Sequence, residues 1–430
     1  MKIDMKIKSL VRSGGAKARA ALSDLTLQAV GTALQTPAYV YDLTVVEARF
    51  SALTGALPGM GIRYAVKANP HGAVLGRLVA LGALVDASSI GEVRRAVAAG
   101  ASPSHISYTG PGKRQAEIEE AVATGIGYLV VESLHQAQMA SAAAMRQGRV
   151  QVVLARISPA ASPKGFGARM TGVATQFGID EEEAAEVLAK IAGLPGLDLR
   201  GLHFYTGSNA LDAGAIGANL RNCAELAQRL VAGMGRRPER LIFGAGFGVP
   251  YHAGQVALDL AAVAAEVRAA LAPLAGGDVA LDLELGRWLV APAGQMLTRV
   301  LTRKVGRGAV IAICDGGFNA HLAACGMMGS VVRRNWPIRN VSTPDGPVER
   351  ITLAGPLCTS IDLLARDLDL AHAAVGDLLA VDLSGAYGAS ASPQGFISQP
   401  RVGEWVWDGQ TLRDETPGEG GPVKRAVAAE

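Results

Sequence analysis

Short apolar runs alternate with longer stretches rich in Ala, Leu, Glu and Arg from about residue 61 to about residue 287. The apolar runs are typical of buried strands, and the intervening stretches favour helices. Alternating strands and helices predict a parallel sheet, and eight such units predict a closed (β/α)8 TIM barrel. The predicted strands are 61–67, 83–87, 105–109, 127–131, 151–157, 200–206, 240–245 and 280–285. The predicted helices include 91–100, 114–124, 181–192, 210–233 and 254–272.

The pattern changes after about residue 288, where β-rich runs are separated by Gly, Pro and Asp turns. Such a pattern predicts a β-barrel or β-sandwich domain. We expect the early strand Ala38–Asp42 to join it. The β-rich runs are 296–303, 308–313, 348–354 and 377–383. We therefore predict an α/β chain with a barrel domain over 45–287 and a discontinuous β domain formed by 1–44 plus 288–430.

Composition narrows the class of protein. Of 430 residues, 49% are hydrophobic and 18% charged, which excludes a disordered chain, and a net charge of +3 argues against a nucleic-acid partner. No segment approaches the roughly 20 apolar residues of a membrane span, and the N-terminus lacks the apolar core of a signal peptide, so we expect a cytoplasmic protein. The four cysteines lie far apart without paired spacing, so we expect neither disulfides nor a metal site: Cys223, Cys314, Cys325 and Cys358.

Candidate catalytic residues fall at or just past the predicted strand ends, where TIM barrels collect their catalytic groups. They are Lys67, Asp86, Arg156, Ser208, Gly246 and Glu284. A lysine that leaves a buried strand can lose proton affinity and become nucleophilic, although a lone strand-end lysine usually faces solvent. The loop Gly244-Ala245-Gly246-Phe247-Gly248 follows a predicted strand. Its backbone N–H groups can approach an anion closely, and a following helix N-terminus adds a favourable dipole, so the loop predicts a phosphate site.

Five separated motifs occur in one order along the chain: Tyr64-Ala65-Val66-Lys67-Ala68-Asn69-Pro70, the glycine loop 244–248, Glu284-Leu285-Gly286-Arg287, Gly355-Pro356-Leu357-Cys358 and Gly385-Ala386-Tyr387. Over about residues 37–400 this set resembles the fold-type III pyridoxal 5′-phosphate (PLP) decarboxylases, which include the diaminopimelate and ornithine decarboxylases. The resemblance implies an alanine-racemase-like fold, PLP as cofactor, a lyase that decarboxylates an amino acid, and a homodimer with shared active sites.

The resemblance also implies roles for single residues. Lys67 would bind PLP covalently. Ser208, Gly244, Gly246, Arg287 and Tyr387 would form the phosphate end of its site, and Asp86, Arg156 and His203 would lie close by. Tyr205 replaces the family's usual histidine and would stack on the pyridine ring. Cys358 would cross the dimer interface and donate a proton to the α-carbon.

Glu284 is the residue that favours decarboxylation, because a carboxylate beside the pyridine nitrogen favours its protonated, electron-withdrawing form. The related racemases place an arginine there. A racemase or epimerase remains an alternative that Glu284 and Cys358 argue against. A non-catalytic PLP-binding homeostasis protein is a third reading, which the residues after Arg287 argue against, because such proteins lack a second domain.

The departures from the family pattern concern the substrate. Thr359 stands where decarboxylases of free diamino acids have an acidic residue, and Ala323 stands where the diaminopimelate enzymes have an arginine. The segments around Phe177, Asp315 and Cys358 resemble a subgroup that contains glutamyl-carrier-protein decarboxylases of natural product biosynthesis and exosortase-associated decarboxylases. An acyl carrier protein is therefore an expected partner, with Arg333 and Arg334 placed to meet its phosphopantetheine or acidic surface. A free amino acid substrate remains the alternative.

Overall fold

The computed structural model describes residues 22–162, 164–233, 237–276, 278–327, 334–418 and 421–422. The chain divides into two compact units. The barrel unit comprises Phe50–Val249 and Val256–Trp288. The sheet unit comprises the described residues up to Arg49, the segment Pro250–Gln255 and the described residues from Leu289 onward.

The strands, in chain order, are β1 Ala38–Asp42, β2 Gly61–Ala65, β3 Leu84–Ala87, β4 Ile106–Tyr108, β5 Tyr128–Val131, β6 Gln151–Ser158, β7 Ala168–Arg169, β8 Ile179–Asp180, β9 Leu197–Phe204, β10 Gly207–Ser208, β11 Arg240–Gly244, β12 Ala280–Leu285, β13 Gly294–Gly306, β14 Ala309–Cys314, β15 Ile338–Asn340, β16 Val348–Ala354, β17 Leu363–Ala371, β18 Leu378–Val381, β19 Gly403–Trp407, β20 Leu412–Asp414, β21 Pro417–Gly418 and β22 Gly421–Pro422.

The α-helices, in chain order, are α1 Asp24–Ala33, α2 Leu43–Ala56, α3 Gly72–Ala80, α4 Ile90–Ala98, α5 Gln115–Thr124, α6 Leu134–Arg146, α7 Glu181–Ala192, α8 Ala213–Gly233, α9 Leu260–Leu271 and α10 Arg287–Val290. In the part of the chain that the structure describes, no helix is both long and apolar enough to cross a membrane.

The barrel unit is built on eight parallel strands in the order β5-β4-β3-β2-β12-β11-β9-β6, and pairing of β5 with β6 closes the cylinder. Each strand is short and largely buried because helices cover its outer face. The predicted TIM barrel is confirmed, and each of the eight predicted strands overlaps an observed one. Closure brings the carboxyl ends of all eight strands to one rim.

Two predicted elements differ from the structure in ways that affect the site. The strand predicted over 61–67 ends at Ala65, and Lys67 lies in the 3-10 turn Val66–Ala68 that follows. The helix predicted over 254–272 begins only at Leu260, because the side chain of Asp259 accepts a hydrogen bond from Ala261 N at 3.0 Å and caps the helix there.

The sheet unit confirms the predicted second, strand-rich domain. Its main sheet has the order β17-β16-β14-β13-β1-β19-β20, with β18 paired to β13 and β15 paired to β18. The early strand β1 is fully buried between β13, which runs antiparallel to it, and β19, which runs parallel. An early strand of the chain therefore lies in the middle of a sheet built mostly from the last third of the sequence.

Candidate active site

Glu284 is the central acidic residue of the barrel rim. It lies on β12 beside Gly244 of the neighbouring strand β11, and only 1% of it is exposed. Its Oε1 atom accepts a hydrogen bond from Lys67 Nζ at 3.2 Å, and its Oε2 atom lies 2.7 Å from His203 Nε2. The structure thus brings together three residues that lie far apart in the sequence.

The two neighbours of Glu284 hold its carboxylate in the ionised form. Burial alone would raise the pKa of Glu284, but the charge of Lys67, the hydrogen bond with His203 and the charge of Arg156 lower it by more. The net pKa lies well below the usual range of a glutamate. A carboxylate that stays ionised in a buried position can stabilise a positive charge placed next to it.

Tyr205 forms one wall beside the lysine. The ammonium nitrogen of Lys67 lies 4.6 Å from the centre of the Tyr205 ring, within the range of a cation–π contact. Tyr205 directly follows β9, which carries His203, and both side chains are buried. The Lys67 side chain is still 33% exposed, so its amine remains reachable.

Asp86, at the end of β3, is fully buried in the same region. Its Oδ1 atom accepts hydrogen bonds from the hydroxyls of Ser107 at 2.8 Å and Thr109 at 2.5 Å. Burial, followed by the charge of Glu284, raises the pKa of Asp86. Its Oδ2 atom has no hydrogen-bond partner. The carboxyl therefore retains one free acceptor position in a buried environment.

Arg156, on β6, is buried and fixed on several sides. Its Nη1 atom donates to Glu132 Oε2 at 2.9 Å, and its Nη2 atom lies 3.5 Å from the carbonyl oxygen of Tyr205. The ring of Phe177 covers the guanidinium at 4.7 Å. Arg156 thereby connects the wall formed by Tyr205 to the loop that carries Phe177.

The glycine loop packs backbone against backbone with the segment around Ser208. Ala210 N donates to Gly246 O at 2.9 Å, and Gly248 N donates to Ala210 O at 2.8 Å. A Cβ on Gly246, whose φ is +66°, would lie 2.4 Å from the Phe166 ring, and one on Gly244 would lie 2.5 Å from the Tyr205 ring. These positions therefore require glycine. The expected helix N-terminus behind this loop is absent from the described residues, because α9 starts only at Leu260.

The residues present fit the predicted PLP. Two buried polar atoms of this rim have no protein partner, Asp86 Oδ2 and His203 Nδ1. Buried polar groups are normally hydrogen-bonded, so two unpaired polar atoms at this rim favour the binding of a polar ligand. An amine, an ionised carboxylate, an aromatic wall and a glycine loop beside the buried Ser208 match the chemistry of the cofactor's aldehyde, ring nitrogen, ring face and phosphate.

Arg287 begins α10, is half-buried and lies in the barrel unit. The remaining predicted residues belong to the sheet unit. Cys358 is exposed, and Thr359 is half-buried in the same turn. Tyr387 is half-buried and has a left-handed φ of +53°, an uncommon backbone conformation for a non-glycine residue. Arg334 is exposed, whereas Arg333 lies outside the described residues.

Three residues of the rim were missed by sequence analysis: Glu132, Ser107 and Thr109. Glu132 directly follows β5 and Thr109 directly follows β4, so the position of a polar residue just after a barrel strand was an available signal for both. Ser107 lies inside β4, where it contacts Asp86, and no motif marks it.

Comparison with known proteins gives one family. The family model described as "Pyridoxal-dependent decarboxylase, pyridoxal binding domain" matches residues 43–291. The chain is 33% identical over 393 residues to the L-glutamyl-[BtrI acyl-carrier protein] decarboxylase of Niallia circulans, with 88% of this chain and 90% of that protein covered. It is 34% identical over 402 residues to the diaminopimelate decarboxylase of Pseudomonas aeruginosa, with 91% of this chain and 94% of that protein covered.

The solved structures agree with this result. The crystal structure of diaminopimelate decarboxylase from Helicobacter pylori, complexed with L-lysine, superposes with a TM-score of 0.81. The sequence identity is 29%, and the match covers 90% of this chain and 95% of that one. The likeness thus extends over both units of the chain.

Proposed function

Because the chain belongs to the pyridoxal-dependent decarboxylase family, we propose that it removes the α-carboxylate of an amino acid that is held as a thioester on a carrier protein. The reaction class and the use of PLP follow from the family. The observation that carries the assignment of this site is the buried, ionised Glu284 between Lys67 and His203.

Several residues of the rim have a role toward the cofactor in this proposal. Bound PLP draws electrons from the α-carbon, which allows carbon dioxide to leave. Lys67 would hold the cofactor covalently through its amine. Glu284 would favour a proton on the ring nitrogen, because an ionised carboxylate stabilises an adjacent positive charge. Tyr205 would lie against the ring, and Ser208, the glycine loop and Arg287 would hold the phosphate.

The carrier-bound substrate is supported by one relative and by two positions of this chain. The relative from Niallia circulans acts on glutamate attached to an acyl carrier protein. Thr359 and Ala323 offer no charge to the distal ammonium or carboxylate of a free diamino acid, and an unpaired charge is costly in a closed site. A thioester removes one carboxylate charge from glutamate and so avoids this cost.

Arg334 is an exposed cation that an acidic carrier protein could contact. Its side chain is exposed, and the next residue, Asn335, fixes the local backbone by exchanging two hydrogen bonds with Arg366, at 2.7 and 3.0 Å. We expect Arg334→Glu to reduce kcat/KM for a carrier-linked substrate several-fold while sparing a small thioester mimic, because only the carrier meets this charge. Arg401→Glu, at another exposed arginine of the sheet unit, is the matched control.

Carbon dioxide release tests the proposal directly. The PLP-loaded protein is offered glutamate and other acidic amino acids on a carrier protein, the same amino acids free, and free lysine, ornithine and diaminopimelate. We expect the carrier-linked acidic amino acid to give the highest kcat/KM. Faster turnover of a free diamino acid would overturn the carrier-bound substrate and leave the decarboxylase assignment standing.

A free amino acid is the second candidate substrate. The specific observation in its favour is the similar identity, 34%, to a diaminopimelate decarboxylase. The arginine missing at Ala323 and the acid missing at Thr359 separate the two candidates, because a diaminopimelate enzyme without them would need other charged groups in their place. The panel of substrates above distinguishes them in one experiment.

We also propose a homodimer with two shared sites, each taking Lys67 from one protomer and Cys358 from the other. The exposed thiol of Cys358 supports this proposal, because a cysteine that serves only packing is usually buried. Mixing Lys67→Ala with Cys358→Ala chains should restore activity to about a quarter of the sites if subunits exchange randomly, because each mixed dimer has one intact site. Full activity in a verified monomer would contradict the shared site.

A further inference from the structure

Glu132 is a buried carboxylate. Its two oxygen atoms accept hydrogen bonds from donors on three different segments of the chain. Its Oε1 atom accepts from Gly110 N at 2.7 Å, and its Oε2 atom accepts from Arg156 Nη1 at 2.9 Å and from Gly178 N at 3.1 Å. Its side chain is 2% exposed. Glutamine has an NH2 group in place of one of these oxygens, and because an NH2 group cannot accept a hydrogen bond, glutamine cannot satisfy all three donors.

The three donors come from parts of the rim that approach each other only in the folded barrel. Gly110 lies after β4, Arg156 lies on β6, and Gly178 directly precedes β8. Gly178 has a φ of +75°, and its neighbour Phe177 covers the guanidinium of Arg156. Glu132 therefore fixes the loop that lies against Arg156 as well as Arg156 itself.

A second buried cation, Lys113, shares hydrogen-bond partners with Glu132. Lys113 Nζ donates to the carbonyl oxygens of Gly110 at 2.6 Å and Val130 at 2.8 Å, and to Gln136 Oε1 at 3.3 Å. The same Gln136 oxygen accepts from Glu132 N at 3.0 Å. Burial lowers the pKa of Lys113 to about 8, and the charge of Glu132 opposes that shift. Glu132 and Lys113 are thus linked through Gln136 and interact by charge.

We propose that Glu132 is a positioning residue for the cofactor site, acting through Arg156 and the loop that carries Phe177. This inference rests on the proposed function, because Arg156 is assigned to the PLP site. Without the carboxylate, the guanidinium would lose its charged partner and Gly178 would lose its acceptor. Both changes would free Arg156 to leave the carbonyl of Tyr205, whose ring lies beside Lys67.

A double-mutant cycle on PLP binding tests the inference. The variants are Glu132→Gln, Arg156→Gln and the double variant, with Glu181→Gln as matched control. Glu181 also pairs with an arginine, Arg229, and also accepts a backbone N–H, from Ala160, but it is partly exposed and outside this cluster. We expect Glu132→Gln to weaken PLP binding on the order of 10-fold, the scale of loss when an orienting partner is removed.

If Glu132 acts through Arg156, the two losses will not multiply. The double variant should then bind PLP within about twofold of Arg156→Gln alone, because Glu132 has little further effect once Arg156 is removed. Independent residues would instead show additive losses of binding free energy. A double variant whose loss equals the product of the two single losses would overturn the inference. So would a Glu132→Gln protein that binds PLP as well as the Glu181→Gln control.

Hydrogen exchange of the cofactor-free protein supplies a readout that requires no PLP. Glu132→Gln should accelerate exchange at the amides of Gly110 and Gly178 while protection of the strands β9, β11 and β12 stays unchanged. Uniformly faster exchange across the barrel would indicate a merely structural role and overturn the inference. Wild-type protein that fails to bind PLP would instead contradict the proposed function, and the exchange result would still report on Glu132.

Discussion

Asp282 and Glu284 lie two residues apart on β12, both 1% exposed, yet their surroundings differ. Alternation along a strand places both side chains on the same face. Asp282 is enclosed by arginines toward the amino ends of the strands. Glu284 faces an amine and an imidazole at the carboxyl rim. The two carboxylates thus mark two different ends of the barrel. The end around Asp282 is held together by ion pairs, and the end around Glu284 carries the candidate active site.

The end around Asp282 is closed. Its Oδ2 atom accepts from Arg63 Nη2 at 2.8 Å, and its Oδ1 atom accepts from Arg240 Nη1 at 2.6 Å. Arg63 is completely buried, and its Nη1 atom also donates to Val85 O at 2.9 Å and His105 O at 3.1 Å. A Cβ on Gly61 would lie 2.1 Å from Asp282 Oδ1, so glycine makes room for the carboxylate.

The rim around Glu284 is open by comparison. Lys67 is partly exposed, and Asp86 Oδ2 and His203 Nδ1 have no hydrogen-bond partner. Burying polar groups without partners costs stability. The barrel thus satisfies its buried charges at the closed end and leaves two buried polar atoms unpaired at the rim, where a ligand can bind. Buried charge by itself therefore does not distinguish the two ends, whereas buried charge beside unpaired polar atoms does.

The largest effect is expected at the closed end. Asp282→Asn leaves Arg63 buried without a charged partner, and removing one partner of a buried pair typically costs about 3–5 kcal/mol. Denaturant unfolding of the cofactor-free protein measures this loss. A cost below about 1 kcal/mol would show that the closed end does not depend on its charges.

The second largest effect is expected on the rate of decarboxylation and not on the stability of the fold. Glu284→Gln should slow decarboxylation on the order of 100-fold or more, because a group that stabilises charge in the reaction is lost. PLP binding should persist, since the phosphate contacts are unchanged. Turnover is measured together with unfolding of the same preparation. Unchanged turnover would exclude Glu284 as the partner of the ring nitrogen.

Replacing Asp86 should stabilise the protein, whereas replacing Asp282 should destabilise it. Its folded pKa is raised, mainly by burial and then by Glu284, so at neutral pH folding is opposed by the ionised form. Asp86→Asn should therefore stabilise the cofactor-free protein at pH 7, within the roughly 0.5–2 kcal/mol common for stabilising substitutions. The gain should shrink as pH falls from the raised folded-state pKa of Asp86 towards the usual aspartate pKa near 4, and it should vanish below that value, where both states are protonated. A gain independent of pH would contradict this origin.

The smallest effect is expected for an exposed pair. Arg94 and Glu120 form an ion pair between α4 and α5 with 64% and 38% of their side chains exposed. Glu120→Gln should change the free energy of unfolding far less than Asp282→Asn does, because solvent screens such pairs. The measurement uses the same unfolding assay and sets the baseline for Asp282→Asn. A loss as large as that of Asp282→Asn would remove the distinction between the buried and the exposed pair.

Much of the fold could be predicted because strand and helix patterns are local. The apolar run 280–285 and the helix 181–192 match the observed elements residue for residue. The helices Gly72–Ala80 and Leu134–Arg146 occupy intervals between predicted strands, where eight strand–helix units imply helices, but the sequence pattern gives no range for either. The late start of α9 depended on a single cap, Asp259, which competes with a longer helical pattern.

The site could be predicted only as far as motifs mark it. Lys67, His203, Tyr205 and Glu284 are brought together by strand register, and the resemblance identified all four. The pairing of Glu132 with Arg156 joins the residue after β5 to a side chain of β6, and no local sequence pattern predicts that contact. That Asp86 Oδ2 and His203 Nδ1 have no hydrogen-bond partner depends on the three-dimensional surroundings of these atoms, which the sequence does not record.

The most direct test of the central claim is the identity of the lysine that carries PLP. Borohydride reduction of the PLP-loaded protein, followed by peptide mass analysis, fixes the cofactor to its lysine and locates it. We predict the label on Lys67 and its loss in Lys67→Ala. Lys113 is the strongest internal competitor, since burial lowers its pKa to about 8. A label on Lys113, or on any lysine other than Lys67, would contradict the assignment of the open rim as the PLP site.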